Sequence, residues 1–459
     1  MAESTATTAA TPNPASVFQN LIARFALGFS SQTMRILLLT QFYPPEVGAA
    51  QNRLSDLTKR LIALGHQVEV LTAMPNYPHG KVFPDYRRRR VIEEVIDQAR
   101  VIRTWIFVRG QRGFLLRLLS YFSFVLTSLF LGAPKTSKAD VVILESPPLF
   151  LGISALILRF FKQTRLVVNV SDLWPESAVA MGMVKNKLAI YLSQGFEEFL
   201  YRQADLVTGQ TQGIVDSIRS RCPGKRVVLL TNGVDQELFS VAQDAVRFAH
   251  AKEKWGFKGC FVIGYTGLHG HAQDLEMVVE AASLLRDHRD FVFAFFGEGP
   301  QKENLQNLVR RLALTNVRFF PFQPRSEIVN VLSAIDVAVV SLKKLPLFLG
   351  ALPSKMFEAM AAKVPLVLAV KGEAQTLVEA AGAGICVEPE SASALTDAIL
   401  TIYRMPDRGA ALGEAGQQYV FRHYNRSDIA RRFAEELASL RTSDGNRLDP
   451  INANASHHP

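Results

Sequence analysis

Arg35-Ile36-Leu37-Leu38-Leu39-Thr40-Gln41-Phe42-Tyr43-Pro44-Pro45-Glu46-Val47-Gly48 is the stretch that decides the fold class. An apolar run of strand length breaks at Thr40 and runs into two prolines and a glycine, residues that close a strand and open a turn. From Ala49 onward Leu54, Leu57, Leu61 and Leu64 recur at helical spacing until Gly65 stops the pattern. Val68–Thr72 is then the next buried strand. Strand, helix, strand in this order argues for a parallel sheet, whose neighbouring strands are joined by such crossovers.

The same rhythm continues. Strand-length apolar runs stand at Val141–Leu144, Leu166–Val170, Leu206–Thr208 and Val227–Leu230, with helical stretches between most of them. After Asn232-Gly233-Val234-Asp235 a second series begins: Val262–Tyr265, Phe291–Phe296, Val317–Phe319, Val337–Val340, Leu366–Ala369 and Ile385–Val387. Helices are expected at 274–286 and 353–362. The class is α/β, with two doubly wound halves. The expected division is an appended N-terminus over 1–33, a first domain over 34–235, a second over 236–424, a last helix over 425–441 that returns to the first, and a disordered tail over 442–459. Residues 2–16 are almost wholly small, polar or Pro, and Met34 heads the first strand, so it is a natural start.

A chain of 459 residues, 48% hydrophobic and 20% charged, suits two globular cores. Lys and Arg outnumber Asp and Glu, 51 to 42, which fits phosphate or anionic lipid as partner. Three cysteines without a CxxC pair form neither a disulfide framework nor a zinc site. No HExxH spacing occurs, so no metal is expected, and no strand is followed by GxGxxG, which counts against nicotinamide chemistry. Nucleic acid is not expected as a partner.

In doubly wound sheets ligands sit beyond the carboxyl ends of strands, and here two such ends would face one cleft. The loops there nominate the site. Gly48 allows close backbone approach before a helix. Ser171-Asp172-Leu173-Trp174-Pro175-Glu176 puts two carboxylates and an indole past a buried strand, suited to sugar hydroxyls and a sugar face; the other reading is a capped helix start. In Pro353-Ser354-Lys355-Met356-Phe357-Glu358, Lys355 and Glu358 share one helix face, the Lys suited to phosphate and the Glu to two ribose hydroxyls; the alternative is a surface ion pair. Gly267, His271, Gly297 and Gly299 lie in turns that either border a nucleotide or are simple turns. Asn76 and Tyr77 in Met74–Gly80, with Trp174, are the acceptor-side candidates.

Taken together and in order, Gln41–Arg53, Met74–Gly80, Ser171–Glu176, Thr231–Asp235, Pro353–Ala361 and Cys386–Glu390 resemble glycosyltransferase family 4, the retaining enzymes of GT-B fold. The similarity is to bacterial transferases that build O-antigen, capsule and exopolysaccharide, and it runs from about Met34 to the last helix. The resemblance implies two Rossmann-like domains facing a central cleft and a nucleotide-sugar donor, UDP-sugar favoured over GDP-sugar. It also implies no metal cofactor, front-face displacement assisted by the leaving diphosphate, and a polyprenyl-diphosphate-linked acceptor at the inner membrane surface. The sugar would be an N-acetylated hexosamine or a deoxyhexosamine. Asp172 and Glu176 would be catalytic; Gly48, Asn232, Gly267, His271, Gly297, Gly299, Lys355 and Glu358 would hold the donor.

Three departures stand out. Gly350 occupies the position of the family's first motif Glu, no Arg follows the second domain's first strand, and Asp274 stands where many relatives carry Gly. Lys343 and Lys344 are candidates to compensate. Two other readings stay open: a nucleotide-sugar-binding protein without transfer activity, and a nucleotide-sugar epimerase of the same fold. Phe114–Ala133 is apolar enough to suggest a membrane span, a core helix or an interfacial helix; Arg117 and several hydroxyls count against the span. Arg87–Arg90, Arg109 and Arg112 nearby suit anionic lipid.

Overall fold

In the computed structural model the described residues are 33–442, apart from 47, 78–79, 109–113, 181, 183 and 241–244. The expectations for residues 1–32 and 443–459, and for Arg109 and Arg112, lie outside them. The first lobe is built on eight strands: β1 Arg35–Leu39, β2 Gln67–Ala73, β3 Val91–Ile96, β4 Ala99–Thr104, β5 Val141–Ser146, β6 Arg165–Val170, β7 Leu206–Gly209 and β8 Val227–Leu229. They stand in the order β3-β4-β2-β1-β5-β6-β7-β8. The second lobe has six: β9 Phe261–Thr266, β10 Phe291–Phe296, β11 Val317–Phe320, β12 Val337–Ser341, β13 Leu366–Ala369 and β14 Gly384–Cys386. Their order is β11-β10-β9-β12-β13-β14, all parallel. In both sheets the order reverses beside the first strand, and such reversals leave a crevice at the strand ends.

The sequence reading missed β3 and β4. They form an antiparallel hairpin closed by Asp97 and Gln98, both at positive φ (50° and 69°), as a two-residue turn requires. β3 is the sheet's edge strand with no fully buried residue, so it carries no continuous apolar signal. β4 hides a buried arginine: Arg103 donates to the Glu94 carboxylate and to the Pro44 and Ala73 carbonyls. The other expected elements form within a few residues of their predicted limits. The helix read from Ala49 runs Ala49–Ala63, and that read from Pro353 runs Ser354–Ala361 with Pro353 as its N-cap.

Each sheet is covered on both faces. One face of the first sheet packs under helices Phe114–Thr127, Gly152–Lys162, Lys187–Gln203 and Gln212–Arg221. The other packs under helix Ala49–Ala63 and the C-terminal helix Arg426–Thr442, which buries Ile429, Phe433, Leu437 and Leu440 against the first lobe. Phe114–Thr127 is the crossover from β4 to β5 and continues through turns to Lys135. It buries Phe124, Val125 and Ser128 on the sheet and exposes Leu119, Leu126 and Phe130. The stretch is long and apolar enough to cross a membrane, yet it lies flat along the first lobe as a half-buried surface helix.

Candidate active site

Helix Ser354–Ala361 buries Met356, Phe357, Ala359 and Met360 in the second lobe's core, which leaves Lys355 and Glu358 on the opposite side, one turn apart. The Lys355 ammonium sits 3.9 Å above the Tyr265 ring and donates to a phenol hydroxyl, that of Tyr265 itself. It also closes on the loop after β9, where a Cβ added to Gly267 would lie 3.5 Å from Nζ. Burial pushes the Lys355 ammonium down to about 7, against the pull of Glu358. Burial raises Glu358, partly offset by Arg426, Arg325 and Lys355. Among the described residues the Glu358 carboxylate has no hydrogen-bond partner.

The turns of the second lobe divide into those that border this pair and those that hold the loops together. Gly267 (φ 126°) borders it. Gly297 and Gly299 face the neighbouring loop: a Cβ on Gly297 would strike the Gly267 carbonyl at 1.9 Å, and one on Gly299 the His269 carbonyl at 2.4 Å. Both sit at φ near 150°, so glycine is needed there for packing. His269 is fully buried among Tyr265, Phe295 and Phe319, and burial lowers its ring to about 4. His271, the sequence's donor candidate, is exposed and meets the Gln301 side chain instead. Asp274 takes a left-handed φ of 48°, which explains why glycine suits that position; Asp is among the residues that tolerate it. Lys344 is spent on Glu388 at 2.6 Å.

In the first lobe, Asp172 follows β6 half-buried. Burial pushes its carboxyl up to about 6, opposed by the Ser177 hydroxyl and the Leu173 N–H and reinforced by Glu176. Glu176 opens the helix Glu176–Ala180, 3.6 Å from Arg221. Trp174 packs edge-on against Phe150 at 5.5 Å. Gly48 is extended (φ 178°) and heads helix Ala49–Ala63. Asn76 and Tyr77 are drawn to the same end: the Glu46 carboxylate accepts their backbone N–H groups at 2.6 and 2.8 Å. The Asn76 side chain is buried on the Met74 carbonyl.

Beneath these loops Arg53 donates to Glu145 and to the Ser171 hydroxyl, Asn169 donates to Glu145 at 2.5 Å, and Thr208 donates to Asn169 at 2.7 Å. This buried chain links the carboxyl ends of β5, β6 and β7 to helix Ala49–Ala63. Buried polar groups satisfied in this way fix geometry, because breaking any one leaves its partner unpaired.

Among the described residues, two contacts between the lobes stand out. Gly350 abuts Gly213, a Cβ on Gly213 lying 3.4 Å from the Gly350 Cα, and nearby Glu373 accepts the backbone N–H groups of Gln212 and Gly213 at 2.9 and 3.1 Å. A carboxylate at a helix N-terminus is favourably placed. At the second place Asp56 is held by Arg60 at 2.9 Å, Arg325 at 3.4 Å and Arg426 at 3.7 Å, while Asp235 meets Arg60 at 3.3 Å. Asn232, expected at the donor, belongs to this hinge: its carbonyl oxygen accepts from Gly233 N–H at 2.9 Å and from Arg426 at 3.4 Å. A cavity of about 610 Å³ opens beside the hinge, lined by Lys59, Asp235 and Glu237 among others, and contains neither Lys355 nor Glu358.

Burial pushes Asp56 up, but Arg426, Arg60 and Arg325 together hold it below the usual carboxylate range. Its stabilising contribution is therefore present above about pH 4 and lost as pH falls below it. Asp56→Ala leaves Arg60, Arg325 and Arg426 clustered with Asp235 at its edge, and a loss of about 2 kcal/mol, read as a melting temperature lower by roughly 5 °C, is expected. A variant melting like the parent would remove the cluster from the forces that join the lobes.

The second lobe's residues 248–419 match the family model for glycosyl transferases group 1, and residues 48–233 match the glycosyl transferase 4-like domain. The two matches follow the two lobes and include Lys355, Glu358 and Asp172. The chain is a GT-B glycosyltransferase.

A related glycosyltransferase, the Escherichia coli K12 protein WcaI, named for colanic acid biosynthesis, is 28% identical over 424 residues, 88% of this chain and 100% of its own. WbjE of Pseudomonas aeruginosa, named as a glycosyltransferase, is 26% identical over 57% of this chain and 65% of its own. Among solved structures, Anabaena HepE in complex with UDP and glucose superposes with a TM-score of 0.67 at 18% identity, over 88% of this chain and 100% of HepE. WaaG, a glycosyltransferase of lipopolysaccharide biosynthesis, gives 0.65 at 15%, over 88% and 99%. Both establish the shared fold.

Several residues that shape this glycosyltransferase's cleft escaped the sequence reading. Tyr265 lies inside an apolar strand and read as core. Glu145, Asn169 and Thr208 are polar residues in or at the ends of otherwise apolar strands, and that interruption was the available signal. Arg325, Arg426 and Glu373 come from distant segments, and no local pattern announces them.

Proposed function

We propose that the enzyme transfers a sugar, with retention, from a nucleotide-sugar held by the second lobe to a lipid-linked glycan acceptor entering from the first. The observation that carries this reading is the Lys355–Glu358 pair, an ammonium and an unpartnered carboxylate one turn apart at a helix N-terminus beside the lobe seam. Glu358 takes two ribose hydroxyls. Lys355, the helix N-terminus and the Gly267 turn meet the diphosphate, without need of a metal ion. The acceptor oxygen bonds to the anomeric carbon on the face from which the phosphate oxygen departs, and the acceptor proton passes to the leaving diphosphate. Lobe closure excludes water from this step.

UDP as the nucleotide is supported by HepE, which shares the fold and holds UDP. A role in cell-surface glycan assembly is supported by the likeness to WcaI; the cytoplasmic face of the membrane is the place this reading gives it. The sugar, in this reading, is an N-acetylated hexosamine or a deoxyhexosamine. A thermal-shift screen of nucleotide sugars, followed by transfer to a polyprenyl-diphosphate-linked acceptor, tests the whole. If no nucleotide sugar raises the melting temperature and none is consumed, the reading fails.

Asp172 faces the reacting sugar in this scheme, with Trp174 against the acceptor. Asp172→Asn is expected to lower kcat about 30-fold (~2 kcal/mol) while donor Kd stays within twofold. Since its carboxyl titrates near 6, parent turnover should fall as pH drops through 6, and the variant should lose that limb. Unchanged kcat and an unchanged pH profile would return Asp172 to a structural cap.

A further inference from the structure

We propose that the outer face of three first-lobe helices is a docking surface for an anionic phospholipid bilayer, which seats the acceptor loop at the membrane. The inference rests on the lipid-linked acceptor of the reading above.

Helices Phe114–Thr127, Gly152–Lys162 and Lys187–Gln203 pack side by side as one layer over the same sheet face. Their outward sides expose Leu126, Phe130, Phe160, Phe161, Tyr191 and Leu192; Phe130, Phe160 and Phe161 are 75–78% exposed. An isolated exposed apolar residue is ordinary, but a face contributed by three adjacent helices is not.

Charge selects the occupant. Residues 114–135, 152–162 and 185–196 contain no Asp or Glu. Lys185 and Lys187 are exposed beside Leu188 at one edge. At the other, Arg87–Arg90 are exposed, and the Arg90 backbone carbonyl accepts the Trp105 N–H while the Trp105 carbonyl accepts the Thr127 hydroxyl. An apolar centre without carboxylates over 114–135, 152–162 and 185–196, with cationic residues at its two edges, matches acyl chains below anionic headgroups.

The face is continuous with the acceptor side of the site. Phe122 stacks on Phe150 at 4.9 Å, and Phe150 in turn meets Trp174 at 5.5 Å and Phe196 at 6.1 Å. A lipid tail along this aromatic wall would remain in the bilayer while its head reached Asp172.

The test is flotation of the full chain with vesicles of phosphatidylglycerol and phosphatidylcholine, or of phosphatidylcholine alone, none containing acceptor. The parent is expected to float with the anionic vesicles and to be released by high salt. Phe160→Glu with Phe161→Glu should lower partition at least tenfold, and Lys185→Glu with Lys187→Glu several-fold, with unchanged circular dichroism and UDP-sugar Kd. No parent partition, or undiminished partition of both variants, overturns the proposal. So does a parent that dimerises without binding vesicles and becomes monomeric on Phe160→Glu, which assigns the face to a second copy. Normal flotation with no transfer to the lipid-linked acceptor would count against the acceptor reading alone.

Discussion

Lys355→Ala is expected to lower kcat/KM about 10³-fold, roughly 4 kcal/mol of transition-state stabilisation. The leaving diphosphate gains charge as the glycosidic bond breaks. In this chain the loop after β9 carries no arginine to share that task, and Lys344 is paired with Glu388. Lys355 is held near the Tyr265 ring in a site that pushes it down to about 7. Above pH 7 the free enzyme loses that charge, whereas bound diphosphate restores it by raising the group. Donor affinity should therefore fall as pH rises past 7, approaching tenfold per unit, and donor binding near pH 8 should take up a proton. Calorimetry in buffers of different ionisation enthalpy measures that uptake. Lys355→Ala turning over at the parent rate would end the assignment.

Glu358→Ala is expected to weaken UDP-sugar binding about 100-fold, near 3 kcal/mol, with the fold intact. A carboxylate hydrogen bond contributes about 1.5–3 kcal/mol, and this one is assigned two hydroxyls. Its burial without a hydrogen-bond partner outweighs the pull of Arg426, Arg325 and Lys355 in the empty enzyme, so the variant should melt no lower than the parent. Titration with UDP and with UDP-sugar separates ribose from sugar contacts: both should weaken alike. An unchanged Kd, or an effect confined to UDP-sugar, would move Glu358 off the ribose.

The seam bears on a departure seen in the sequence. Gly350 stands where the family resemblance puts an acidic residue, and its backbone is packed against Gly213 of the other lobe. The carboxylate at this place is Glu373, joined to the N-terminus of helix Gln212–Arg221. The position thus serves lobe contact in this chain.

Legibility followed the range of each signal. Parallel strands buried on both faces are continuous apolar runs, so β1, β5, β6 and β9 to β13 were readable nearly to the residue. The β3–β4 hairpin was not, since an exposed edge strand such as Val-Ile-Glu-Glu-Val-Ile has neither a continuous nor a strictly alternating pattern. Lys355, Glu358 and Asp172 could be nominated from the sequence because strand ends and helix starts position them, and that placement is local. His271 failed for the complementary reason: the loop was identified correctly, but which of its two histidines turned inward depended on the aromatic residues of β10 and β11.

By itself the sequence determined the α/β class, the two series of strands, and the helix face that carries Lys355 and Glu358, because hydrophobic periodicity and turn residues act over a few positions. Tertiary structure alone decided that Gly297 and Gly299 close one loop on another and that Asn232 serves the hinge. It alone joined Asp56, Arg325 and Arg426 across the lobes, and gathered three separate helices into one apolar face. Such groupings come from segments tens to hundreds of residues apart, and only packing, which no local pattern encodes, brings them within a few ångströms.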